Sequence, residues 1–295
     1  MFKNATIYKI NGAVPFGMAA AMDSAVFTPC GESQDLSIGW VPPRGIYPGA
    51  LMESVGQFRV VTLAIETKSV PASEIDKLVK KEAKRYEEET GHRLGKKALR
   101  ELKEDAYLAL LPKAFPKRKD VHTLITKDFV VIDTASSLVA EHVVAFLARA
   151  GLTLELVTTV LAPSTYMKNC LLDEENAGAF FIGRACDMVA NDESGSKVSF
   201  KDHYLMSDNV REHIAQGKEV TKLALDGGTV AFEMTSDLVL KKLHFETPES
   251  ADGDIDGFEA DVVLVGSAIE STIKDLIHEL GGLVKSPVAQ EEQAA

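Results

Sequence analysis

The stretch from Pro71 to Pro112 sets the strongest limit on how this chain can fold. Ile75, Leu78 and Val79 form a narrow apolar stripe at helical spacing. Gly91 and Gly95 interrupt it, and from Lys96 a second stripe runs through Leu99, Leu102, Ala106 and Leu110. Proline bounds the pair on both sides, because it lacks a backbone donor and clashes with the preceding turn. Ser73, with Asp76 three residues on, is expected to cap the first helix. The other faces are dense in Lys, Arg and Glu, so neither helix can be surrounded by core. The segment Ser73–Pro112 therefore reads as a helical hairpin projecting from a body whose strands come from both sides of it. Phe58–Ile65 and Phe129–Ile132 are rich in β-branched and aromatic residues and are expected to be two of those strands.

Charge singles out the same region. Lys77–Lys119 holds fourteen of the 32 basic residues and seven acidic ones, a surplus of +7 in a chain of net charge −12, which leaves −19 for the rest. A basic arm on an acidic body points to a polyanionic partner, since binding follows the field at the contacting face, screened over about 8 Å. Part of this charge also fits an ordinary solvated helix surface with pairs at i,i+4.

Elsewhere the pattern is mixed α+β. Ser137 is expected to cap a helix bearing Val139, Val143, Phe146 and Leu147, ended by Gly151. Signals weaken after Ala162. Ser207 then caps a short helix through Ile214, and a meander follows: Thr221–Leu225, a turn at Asp226-Gly227-Gly228, Thr229–Met234 and Leu238–Phe245. Ser267 and Glu270 read as a capping box for a last helix through Leu280, and Ser286–Ala295 as a disordered tail. A length of 295 residues at 45% hydrophobic supports about two or three domains. The N-terminus lacks the apolar segment of a secretory leader, and no 18-residue apolar run exists, so a cytoplasmic protein is expected. Cys30, Cys170 and Cys186 are odd in number and far apart, which suits reduced thiols better than a disulfide framework or metal site.

Recognisable catalytic motifs fail on inspection. Gly91 to Lys97 has three residues between its glycines where a phosphate-binding loop needs four, and Lys97 where that loop has Ser or Thr. Asp252-Gly-Asp254-Ile-Asp256-Gly257 opens like a calcium loop, but its twelfth position is Val263, so an acidic surface turn is expected. No zinc-peptidase or hydrolase signature occurs, so no enzyme, metal or cofactor is expected.

What remains is Lys113-Ala-Phe115-Pro-Lys117-Arg118-Lys119. Phe115 follows a helix-ending proline and is flanked by four cations. It could be a core anchor docking the arm, an aromatic that stacks on or wedges into nucleic acid, or a hydrophobic knob at a protein interface. Lys113, Lys117 and Arg118 are candidates for phosphate contacts. An acidic cytosolic scaffold whose basic arm binds an acidic protein is the alternative from another class.

Several blocks together resemble the recombination-associated RdgC family of proteobacteria. They are Met1-Phe2-Lys3-Asn4, Phe27-Thr-Pro-Cys30-Gly31, Gly39-Trp40-Val-Pro-Pro43, Leu110-Leu-Pro-Lys113-Ala-Phe115, Val220–Asp226 and Leu280-Gly-Gly282. Order and spacing hold across essentially the whole chain, although Gly227-Gly228 and the acidic 246–261 region depart from the pattern. The resemblance implies an α+β, horseshoe-shaped subunit: a mixed sheet-and-helix centre (1–72 plus 121–165), a helical tip (73–120), and a base (166–295) with an acidic C-terminal tail. Two subunits would close a ring through tips and bases. The ring would encircle duplex DNA without sequence preference, with single-stranded DNA a further candidate ligand, and would restrain RecA-mediated recombination in the bacterial nucleoid. By position, Phe115 matches the tip-interface phenylalanine. Arg93 and Lys113 match basic tip positions, and Lys201 matches a basic residue facing DNA from the base.

Overall fold

The computed structural model of the protein describes residues 2–192, 194–246 and 255–284, and for 255 and 256 the backbone alone. Among these are seven α-helices and twelve strands, a mixed α+β architecture dominated by antiparallel pairing. The chain divides into two compact units: Met1–Ala21, Pro42–Val61 and His122–Ala295 form the first, Met22–Val41 and Thr62–Val121 the second.

In the first unit, β1 (Asn4–Ile10) pairs on one side with β6 (Phe129–Ile132). Its other side takes β7 (Leu154–Leu156) at one end and β12 (Leu240–Phe245) at the other. From β12 the sheet continues through β11 (Val230–Thr235), β10 (Lys218–Asp226) and β8 (Phe181–Ala190) to β9 (Lys197–Phe200). The expected meander is thus present. Its β10–β11 turn holds because Gly228 takes φ +79° and its N–H donates to Asp226 Oδ1 at 2.8 Å. Leu238 sits at φ +56°, so the third strand starts at Leu240, two residues later than its sequence suggests.

Helices pack against this sheet. The expected helix α4 is Ser137–Arg149, but Ser136 and not Ser137 is its N-cap residue; Ser207 stands at the N-cap of α6 (Asp208–Ala215), and neither N-cap serine makes a side-chain capping bond. The stretch after Ala162, weak in sequence, forms α5 (Pro163–Leu172) before β8; Tyr166, Met167, Cys170 and Leu171 are its buried side. The final helix, α7 (Ile255–Glu279), begins well before the expected Ser267. Glu270 caps nothing: it accepts from Gln57 at 3.0 Å and from Lys274 at 2.7 Å in mid-helix. The acidic turn expected at Asp252 to Gly257 is already helix from Ile255 on, while Asp252, Asp254 and the expected tail Ser286–Ala295 lie outside the described residues. The core joins Val220, Leu223, Leu225, Phe232 and Met234 of the sheet to Met167, Leu171, Ile269, Ile273 and Leu276 of the helices. Cys170 and Cys186 are buried in it as free thiols, pushed up to about 11 and about 12 by loss of water around the thiolate.

In the second unit, β2 (Leu36–Val41) pairs with residues 62–67 of β4 (Phe58–Lys68), placing buried Trp40 opposite buried Leu63. The helical hairpin follows, α2 (Ala72–Thr90) and α3 (Lys96–Leu110). Ser73 does not cap it. Pro71 is the N-cap residue, and its carbonyl accepts from Glu74 and Ile75. Gly91 at φ +72° ends α2, the left-handed position where glycine avoids a Cβ clash. After α3 a 3-10 turn, Leu111–Lys113, leads to β5 (Pro116–Ile125).

Candidate nucleic-acid interface

The junction between α3 and β5 is built to expose its side chains. Leu111 is buried and anchors the 3-10 turn, and its carbonyl accepts from the N–H of Ala114 at 3.1 Å. Ala114 is extended, and Pro116 disfavours helix at the residue before it. Phe115 is thereby held out at 92% exposure, which removes the core-anchor reading. The first five residues of β5 are all exposed.

Strand alternation then divides the cations. Arg118 and Asp120 share one face, where the guanidinium makes a two-pronged pair with the carboxylate at 2.7 and 3.0 Å and lies 4.9 Å over the Phe27 ring. Phe27 is held for this by the block around Gly39. Its N–H donates to the Trp40 carbonyl at 3.0 Å, and a Cβ on Gly39 would lie 2.4 Å from Phe27 Cα. Lys117 and Lys119 occupy the opposite face, and neither has a carboxylate within 4 Å among the described residues. Lys113 is exposed in the 3-10 turn and equally unpaired. Sequence reasoning had singled out Arg118 and passed over Lys119. The missing signal was the strand itself, which starts at Pro116 without any apolar alternation.

Arg93 lies at the other end of the hairpin. α3 separates it from Lys113 by fifteen residues, about 22 Å of helix. Its Nε is 2.9 Å from Glu87 Oε1, and that hydrogen bond raises its pKa further. The helices neutralise most of their own charge in this way. Lys84 pairs with Glu88, Arg85 with Glu82 and Glu89, Arg100 with Glu104, and Lys103 with Asp76. Lys80, Lys81 and Lys96 take part in no ion pair among the described residues. The bland reading of solvated helix faces thus holds for several of the arm's cations, and three of its six unpaired lysines among the described residues fall within the seven residues 113–119.

Lys201 belongs to the first unit, exposed in the bend after β9. Its field reaches Asp187, part of a row of charges across the sheet. Asp187 accepts from Ser199 at 2.6 Å and from Lys222 Nζ at 2.8 Å; Lys222 also lies 3.1 Å from Glu233, which Lys242 meets at 2.6 Å. Burial disfavours all three charges, but the hydrogen bonds outweigh it. Asp187 and Glu233 are held below, and Lys222 above, their ordinary values. Among the described residues no three His, Cys, Asp or Glu side chains stand together so as to hold a metal ion, and no helix is long and apolar enough to cross a membrane.

A family model described as "Putative exonuclease, RdgC" matches residues 1–283. Among curated proteins, the chain is similar to a recombination-associated protein RdgC from Ralstonia nicotianae, 31% identical over 302 residues and covering 95% of both chains. It is 30% identical to the protein of that name from Burkholderia ambifaria, covering 95% of this chain and 96% of the other. For the one from Shewanella halifaxensis the identity is 29%, over 97% and 99%.

Proposed function

This chain belongs to the RdgC family, and from that premise we propose that it acts in recombination as a DNA-binding protein without sequence preference, encircling duplex DNA as a ring-shaped homodimer. The observation that carries the reading is the junction at 113–119: a fully presented phenylalanine beside Lys113, Lys117 and Lys119, which have no ion-pair partner among the described residues. Unpaired lysines attract phosphates and release counterions, which gives affinity without base readout. Phe115 has no comparable role with a phosphate chain. It suits a two-fold contact between tips, where the same surface on each copy meets itself.

On this reading residues 73–120 are the tip, 1–72 with 121–165 the centre and 166–295 the base. Lys201 and the tip cations, Arg93 included, face the DNA. The acidic remainder of the chain faces away from it, keeping the assembly soluble and limiting stray contacts. A closed ring on nucleoid DNA stays bound even when each contact is weak, and bound rings restrain RecA by occupying its substrate.

On this proposal the chain is a binder and not a nuclease, in line with the recombination-associated name of its relatives. The test is the lifetime of the complex on circular against linear duplex of the same sequence, over a salt series and with Mg²⁺ present. Longer retention on circles, equal competition by unrelated sequences and intact DNA are expected. Preference for one sequence, equal loss from both forms, or shortening of linear ends would overturn it.

A further inference from the structure

The hairpin carries a second, oppositely charged surface. Two adjoining cavities of about 250 and 290 Å³ share Glu82, Leu102 and Asp105, so they run together as one groove between α2 and α3. The floor is apolar and partly buried, with Leu78, Leu94, Ala98, Leu102 and Ala106 along it. The rim bears four carboxylates, Glu82, Glu89, Glu101 and Asp105, against the single cation Arg85. Arg85 is held by Glu82 and Glu89, and Lys97 stands 3.9 Å from Glu101. Asp105 has no ion-pair partner among the described residues. Four negative charges against these two cations leave −2 here, within a segment whose overall surplus is +7.

Such a strip repels phosphates, so it is not a continuation of the DNA surface. From Ala98 to Ala109 the groove follows about 17 Å of α3, three helical turns. That is the length and relief into which an amphipathic helix lays apolar residues at i, i+3, i+4 and i+7. We propose that this groove docks an amphipathic helix of a partner protein, apolar on one face and flanked by Lys or Arg that meet Glu89, Glu101 and Asp105. The charge complementarity selects a basic helix over an acidic one. The inference stands apart from DNA binding, which uses other side chains.

The test uses the intact protein and two labelled peptides of about fifteen residues. Both carry the same helical leucine pattern, one with Lys and one with Glu at the remaining positions, and anisotropy is read at about 0.15 M salt. The Lys peptide is expected to bind and the Glu peptide not. Glu101→Lys with Asp105→Lys is expected to weaken the Lys peptide by about tenfold or more, while Glu174→Lys with Glu175→Lys, a reversal of exposed carboxylates in the other unit, changes it less than about twofold. Should the double reversal unfold, Asp105→Asn carries the same test, with a loss of about threefold expected. Equal binding of both peptides, or equal weakening by the control pair, would overturn the proposal. So would a groove variant that keeps the peptide but loses self-association, because the occupant would then be a second copy.

Discussion

Arg93 Nε lies 2.9 Å from Glu87 Oε1, so the basic side chain at the turn of the hairpin already has a carboxylate partner six residues back. A phosphate must compete with that carboxylate. Glu87→Gln removes the competitor and is expected to tighten DNA binding by about two- to fivefold at low salt, an advantage that fades as salt rises. Arg93→Ala is expected to lower the log–log salt slope by about one unit. An unchanged slope takes Arg93 off the DNA surface.

The two faces of β5 separate in the same measurement. Lys117→Ala and Lys119→Ala are each expected to take about one unit from the slope, because neither amine has an ion-pair partner among the described residues. Arg118→Ala is expected to change the slope less and to cost about 1 kcal/mol of stability, through lost stacking on Phe27 and the lost fork to Asp120. If Arg118 moved the slope as much as Lys117, the pair with Asp120 would be no barrier to phosphate.

These local facts also show where sequence reasoning reached and where it stopped. The hairpin was legible because its information is local: two apolar stripes, a glycine that must turn left-handed at Gly91, and prolines at both ends. The β10–β11 turn was legible for the same reason. α5 was not, because Tyr166, Met167, Cys170 and Leu171 show their burial only once β10 and α6 pack on them. Ser267 and Glu270 match a capping box by spacing alone, yet the helix runs through both, and Glu270 is claimed by Gln57 from far away in sequence. At the site, the residue types were readable but their commitments were not. Arg118 and Lys119 look alike in sequence, and Asp120 and Phe27 make them different.

Close approach at Gly39 has a checkable cost. A Cβ there would fall 2.4 Å from Phe27 Cα and 2.5 Å from its backbone nitrogen, and neither can move away as a side-chain tip could. Gly39→Ala is expected to destabilise the protein by about 3 kcal/mol or more, seen as a lower denaturation midpoint. It should also free Arg118 by displacing Phe27. An unchanged midpoint would mean that the backbone shifts at no cost.

The charge row on the sheet gives a pH dependence of known sign. Asp187 and Glu233 are held below their ordinary 3.8 and 4.5, so their contribution is present above those values and is lost as pH falls through the lowered ones. Lys222, held above 10.5, contributes below that value, and its share is lost as pH rises through the raised one. Lys222→Met leaves Asp187 without its ion-pair partner, with only the more distant field of Lys201, and Glu233 with Lys242 alone. It is expected to cost about 2 kcal/mol at neutral pH, and to cost progressively less below about pH 4 as the two carboxylates protonate. Urea midpoints of the two proteins at pH 3 and 7 check this. A gap that does not shrink at pH 3 would mean that the loss comes from packing and not from charge.

Phe115 offers the sharpest separation of fold from assembly. At 92% exposure it buries almost nothing within its own chain, so Phe115→Ala is expected to move the unfolding free energy by less than about 0.5 kcal/mol. A side chain at the centre of a two-fold contact is lost from both copies at once, and the two truncations together cost about 2 kcal/mol or more. Self-association followed by sedimentation should therefore weaken by roughly thirtyfold. The lifetime on circular DNA should fall, while the affinity for linear DNA, set by the lysines, changes little. Phe115→Trp, which keeps a large ring, should retain most of the contact. A Phe115→Ala protein that assembles and stays on circles like the parent would remove the interface role and return the exposed ring to direct stacking on nucleic acid.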